Sequence, residues 1–144
     1  MKWSGKWRGE RGSAMVEFAI VLPIFLFITW CVVDFARAYY TQNSLASAVR
    51  EGARYAAIRD LRGTQAERDA IVAETKSLVG KSFNAFGGAP IPAGSITVDT
   101  TAMPDVTVKV TNYEWQTTTP INVFAGGKVS MTKKATFRWE RDGS

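Results

Sequence analysis

The sequence predicts an α+β chain: a long N-terminal helix that crosses a membrane and continues beyond it, a second short helix, and an antiparallel sheet of three or more strands. Three observations predict it. Residues 18–33 carry no charge. Small and apolar residues then recur at helical spacing as far as Ala56. The last third changes to a period of two, with β-branched and aromatic residues on one parity. The 144 residues fit one domain plus a short anchor. They divide into a basic cytoplasmic leader (1–12), a transmembrane helix (13–33), an extracytoplasmic continuation of that helix (34–60) and an extracytoplasmic α+β domain (61–144).

The leader sets the orientation. Net charge is +5, and Lys2, Lys6, Arg8 and Arg11 against Glu10 place much of it in the first dozen residues. A basic tip before an apolar run stays in the cytoplasm when the run inserts. No folded basic patch accompanies the tip, so nucleic acid is not an expected partner. Trp3 and Trp7 suit the headgroup level of a bilayer.

Ser13 to Val33, at 1.5 Å per residue, make a helix of about 30 Å, which matches the hydrocarbon core. The segment holds one charge, Glu17, and one proline, Pro23. Pro23 removes a backbone donor and is expected to bend or loosen the helix. Cys31 is the one cysteine. It lies in the apolar run, so the outer domain folds without an intrachain disulfide. Asp34, Arg37, Tyr39 and Tyr40 follow as a charged and aromatic boundary.

Beyond that boundary Ala38, Gln42, Leu45, Val49, Gly52 and Ala56 recur at alternating spacings of four and three, a helical seam of mostly small residues. Such a seam admits close approach of another backbone, either from the chain's own domain or from a neighbour. Arg62-Gly63 mark a break. Thr64 with Glu67 reads as the capping box of a second helix, with Ile71, Val72, Leu78 and Val79 apolar and Gly80 as its stop. Residues 84–94, with Gly87-Gly88, Pro90 and Pro92, read as a loop. Ile96 and Val98, then Val106, Val108 and Val110, then Val129, Met131, Ala135, Phe137 and Trp139, alternate with polar residues as strands do. Lys133 falls on the apolar parity and marks a bulge or a strand end. Gly126-Gly127 supply the turn into the last strand.

Chemistry is sparse. There is no histidine, the commonest general base and metal ligand. A single cysteine excludes thiolate metal clusters. No phosphate-binding glycine motif follows a strand, and no N-x-[ST] sequon occurs. Neither enzymatic activity nor a cofactor is expected.

The informative segment is RGSAMVEF, residues 11–18. A carboxylate in an inserted helix costs about 2.5–3.5 kcal/mol near the centre and less toward the interface. Such a group usually has a partner, yet no Lys or Arg lies between Ser13 and Val33. Removal of the tip after Gly12 would create an α-amino group at Ser13, near the depth of Glu17. The amine of one subunit could then pair with Glu17 of another, and low dielectric would favour a fixed stagger between helices.

RGSAMVEFAIVLPIFLF followed by VVDFARAYYTQNSLASAVREGARYAAI resembles the TadE-like proteins, pseudopilins of the Tad (tight adherence, Flp) branch of type IV pilus systems. The resemblance is dense over residues 11–58 and rests on G-S-x-x-V-E-F, the proline in the helix and A-x-R-x-G-A-R-Y. Over residues 60–144 it is architectural. It implies a type IV pilin-like fold in the bacterial inner membrane. It implies cleavage between Gly12 and Ser13 by a prepilin peptidase, with Glu17 and Phe18 serving recognition and subunit pairing. The implied partners are the lipid bilayer, that peptidase, other pilins or pseudopilins and the Tad assembly platform. The implied role is pilus biogenesis, surface adhesion or secretion, and the sister family TadF is similar enough to stay open.

Two other readings compete. A secreted protein with a cleaved signal peptide would use Ala36-Arg37-Ala38. Asp34 and Arg37 crowd that site, and the helical seam runs through it. An unprocessed membrane-anchored binding domain explains everything except Glu17 and the glycine boundary.

Overall fold

The computed structural model describes residues 7–59, 61–84, 89–101, 104–118 and 126–139, with side chains from Gly12 onward. Lys2, Trp3 and Lys6 of the basic tip and Gly87-Gly88 of the loop lie outside the described residues.

Helix α1 (Trp7–Ala57) is unbroken and passes through Pro23. It therefore starts within the leader, ahead of Gly12. From Ser13 to Val33 its side chains are exposed apart from a half-buried Cys31. From Asp34 onward one side of it is covered by the rest of the chain. The covered side is the small-residue seam: Leu45, Ala48, Val49, Gly52, Ala53, Ala56 and Ala57 are buried, whereas Gln42 is exposed. The seam thus packs on the chain's own domain.

Helix α2 (Gln65–Ser82) starts as its sequence signals. Thr64 Oγ1 accepts from the Glu67 N–H, and the Glu67 carboxylate accepts from the Thr64 N–H at 2.6 Å. Two of the four orphan N–H donors at this end are thereby satisfied. Thr64→Ala is expected to cost about 1 kcal/mol, read as a lower midpoint in denaturant unfolding of the solubilised chain. The helix runs past Gly80, which has open space around it and is no stop. It ends at Phe83, a residue of the core, whose N–H donates to Val79 O.

A short 3₁₀ turn at Ala93–Ser95 leads into the sheet. Strands β1 (Ile96–Asp99), β2 (Asp105–Gln116) and β3 (Lys128–Arg138) form an antiparallel meander in the order β1-β2-β3. Gly126 and Gly127, at φ of 71° and 57°, precede β3, a backbone region where a Cβ is costly. One face of the sheet carries Ile96, Val108, Val110, Tyr113, Trp115 and Met131 against α1 and α2. The other carries Thr97, Lys109 and Lys134 side by side, exposed.

The middle of β2 departs from simple alternation. Val106, Val108 and Val110 are buried, and so are Tyr113 and Trp115, which have the opposite parity. A register shift between Val110 and Tyr113, with Asn112 at φ 53°, inserts the extra residue that returns the side chains to the core. The bulge flagged by Lys133 therefore lies on the partner strand. Lys133 pairs with Val110 and is half-buried.

The far end of the domain is closed by Trp139. Its backbone N–H donates to Pro104 O at 2.7 Å, its indole to Arg59 O at 3.2 Å, and the Arg62 guanidinium lies 4.6 Å from its ring centre. A small cluster of Ala56, Leu61 and Val106 sits beneath it.

Candidate functional site

The most apolar window of α1 has a mean hydropathy of 2.4, and none of it is covered by the rest of the chain. A core helix of this composition would be wrapped by its own domain. This one projects from it, so its apolar surface has to be met by something other than this domain.

At the start of the projecting segment the helix brings Ser13 and Glu17 together. They lie one turn apart, and Ser13 Oγ donates to Glu17 Oε1 at 3.3 Å. Phe18 beside them is exposed. A Cβ built on Gly12 meets nothing within 4 Å. The fold places no steric demand for glycine there, so a demand for it has to come from a partner. Pro23 lies about a turn and a half beyond Glu17. No described basic side chain reaches Glu17 within the segment 13–33.

At the other end of the projecting segment the helix meets its domain through a polar clamp. Asp34, 7% exposed, accepts the Thr118 backbone N–H at 3.1 Å and the Arg37 guanidinium at 3.1 Å. Arg37 also donates to the Thr118 hydroxyl. Its guanidinium carbon stands 5.8 Å from the centre of the buried Trp115 ring. The clamp ties the end of β2 to the first turn beyond Val33. The spacing of Asp34 and Arg37 predicts a boundary, but Thr118 is 84 residues from Asp34 and carries no signal of the pairing.

Asp34→Ala removes the carboxylate that accepts from the Thr118 N–H and from the Arg37 guanidinium. The expected loss is about 1–3 kcal/mol, seen as a lower melting temperature of the detergent-solubilised chain. Asp34→Asn, which keeps an acceptor oxygen, is expected to lose less.

Perturbed titratable groups outside the apolar segment have structural causes. The Thr101 hydroxyl and N–H donate to Asp99 and hold its carboxyl below the usual range. Burial pushes the Tyr113 phenol up, and its hydroxyl donates to Ala89 O at 2.6 Å. A hydrogen bond with Glu74, then desolvation, pushes Tyr55 up, against the opposing influence of Arg59. Among the described residues no three His, Cys, Asp or Glu side chains group to hold a metal.

Fold and site together define a class: one helix of the length and composition of a single-pass membrane anchor, carrying a small α+β domain clamped to it at Asp34. Residues 12–54 match the family model of TadE-like proteins. The match begins at Gly12 and takes in the projecting segment, the clamp residues Asp34 and Arg37 and the seam through Gly52. No curated protein and no solved structure matches the chain.

Proposed function

We propose that this chain is a TadE-like pseudopilin or minor pilin of a Tad-type pilus assembly and secretion system. The observation that carries the reading is the family match starting at Gly12, where the polar leader meets the apolar helix. In this reading the chain inserts in the bacterial cytoplasmic membrane with its basic tip inside and the α+β domain outside. A prepilin peptidase cuts between Gly12 and Ser13. The mature helix associates with those of other pilins on the Tad assembly platform, and the assembly serves adhesion to surfaces.

The charge arrangement supports this order of events. Before cleavage, Glu17 takes a hydrogen bond from Ser13 of its own chain. After cleavage, Ser13 bears a cationic α-amine. On a neighbouring helix that amine can neutralise Glu17, and the attraction is strongest where water is excluded. An unprocessed anchor gains nothing from a carboxylate at this depth.

Glu17→Ala is the test. The variant is expected to be cut normally and to lose co-purification with partner pilins, scored by crosslinking in membranes. Normal assembly of this variant would sink the pairing role of Glu17.

A further inference from the structure

The surface just past Asp34 is unlike the rest of the domain. A groove runs between α1 and the start of β3, lined by Phe35, Ala38, Tyr39 and Gln42 on the helix and by residues 129–132 on the strand. Phe35 is 74% exposed, Tyr39 59% and Val129 45%. The Phe35 and Tyr39 rings stack, with centres 6.5 Å apart. An exposed aromatic pair beside an exposed valine is poorly suited to bulk water.

The height of this groove along α1 points to what fills it. If Ser13–Val33 fills the hydrocarbon core, Asp34 stands at its outer edge. The headgroup layer beyond is about 5–7 Å deep on each side. Phe35 to Tyr39 climb about 6 Å of helix and Gln42 lies about 12 Å above Asp34. Phe35 therefore falls within the headgroup layer, Tyr39 stands at its outer limit, and Gln42 lies beyond it.

The strand side of the groove is brought to the same level by the clamp. Thr118 is bonded to Asp34, and Thr117 N–H donates to Gly127 O at 2.9 Å. Val129 pairs with Trp115, three residues before Thr118. The opposite end of β3, where Phe137 pairs with Val106, lies toward the end of α1 at Ala56. Thus β3 rises from the lipid surface, with Val129 low and Thr136 high. Aromatic rings with an apolar body and a polar tip are favoured at this depth. The lining is mixed, with Gln42, Ser130 and Thr132 beside the aromatic and aliphatic residues, as suits the interfacial depth rather than the hydrocarbon core.

We propose that the interfacial layer of the phospholipid bilayer fills the groove between α1 and β3, so that the domain rests on the membrane instead of standing clear of it. The proposal depends on α1 spanning a bilayer, and does not depend on processing or assembly. The lipid completes the cover of the lower core that protein side chains leave open, and the Asp34 clamp fixes the depth.

The test uses the full chain with Cys31→Ala, reconstituted in phosphatidylethanolamine and phosphatidylglycerol vesicles at low protein density. Single cysteines replace Tyr39, Val129, Thr136 or Leu26 and carry an environment-sensitive fluorophore. The quencher is a phospholipid with a nitroxide near its headgroup, with a mid-chain nitroxide for Leu26→Cys. Tyr39→Cys and Val129→Cys are expected to lose most of their emission, and Thr136→Cys to keep its own. Quenching of Leu26→Cys alone would overturn the proposal while leaving the anchor intact. A probe at Val129→Cys shielded from water only at high protein-to-lipid ratio would overturn it in favour of a second copy in the groove. Absence of quenching at Leu26→Cys would overturn the anchor reading and the proposal together.

Discussion

Replacing Gly52 by leucine is expected to separate α1 from α2 and unfold the domain. A Cβ at Gly52 would stand 2.3 Å from Val79 Cγ2 and 3.6 Å from Thr75 Cγ2. All three residues are buried, and Val79 belongs to the main core cluster. Even Gly52→Ala overpacks this contact. Inserting a methylene-sized group into a packed core costs about 1–3 kcal/mol. Glycine's own helix penalty of about 1 kcal/mol offsets part of that. Leucine adds three further heavy atoms where the first does not fit. Domains of this kind have about 5–15 kcal/mol in total, so the leucine variant uses up much of the margin. Circular dichroism and limited proteolysis of the solubilised chain check it. Val79→Ala in the Gly52→Ala background is expected to recover part of the loss, because it removes the atom that clashes. No recovery would mean that the two helices are not held by this contact.

Gly12→Trp is expected to abolish maturation while leaving the fold intact. Open space surrounds the Gly12 Cβ position, so the fold itself tolerates the larger side chain. In the proposed reading, the peptidase subsite is shaped for glycine and is expected to reject it. The uncut chain is expected to accumulate in the membrane with an unchanged melting temperature and no assembly. A variant that is still cut would remove Gly12 from the recognition of the peptidase. A variant that is uncut but also unfolded would contradict the open geometry at Gly12.

These two glycines differ in what the sequence could say of them. Gly12 stood out because it ends a charged tip directly before an apolar run. Gly52 fell in a small-residue seam, and the seam said only that some backbone approaches closely. That α2 of the same chain packs there, through the Val79 and Thr75 side chains, required the fold. The capping box at Thr64 and Glu67 was legible because both partners lie within one turn. So was the alternation of Val106, Val108 and Val110.

The pattern in the residues misleads where a local rule is interrupted. Tyr113 and Trp115 are core residues on the parity opposite to the valines, because Asn112 in a left-handed conformation shifts the register. A lone lysine on the apolar parity of β3 pointed to an irregularity without saying which strand held it. Gly80 read as a stop, yet α2 continues through it to a C-cap at Phe83. Glycine costs a helix about 1 kcal/mol, and packing of the flanking Val79 and Phe83 outweighs it. The Asp34 clamp was half legible. A charged pair spaced i, i+3 at the end of an apolar run suggests a boundary, but its backbone partner at Thr118 comes from the far end of the chain.

The most direct measurement is intact-mass spectrometry of the protein from its native membrane, with and without the prepilin peptidase. A chain beginning at Ser13 only when the peptidase is present is the predicted result. A chain of unchanged mass in both strains would contradict the account and leave an unprocessed anchored domain in its place.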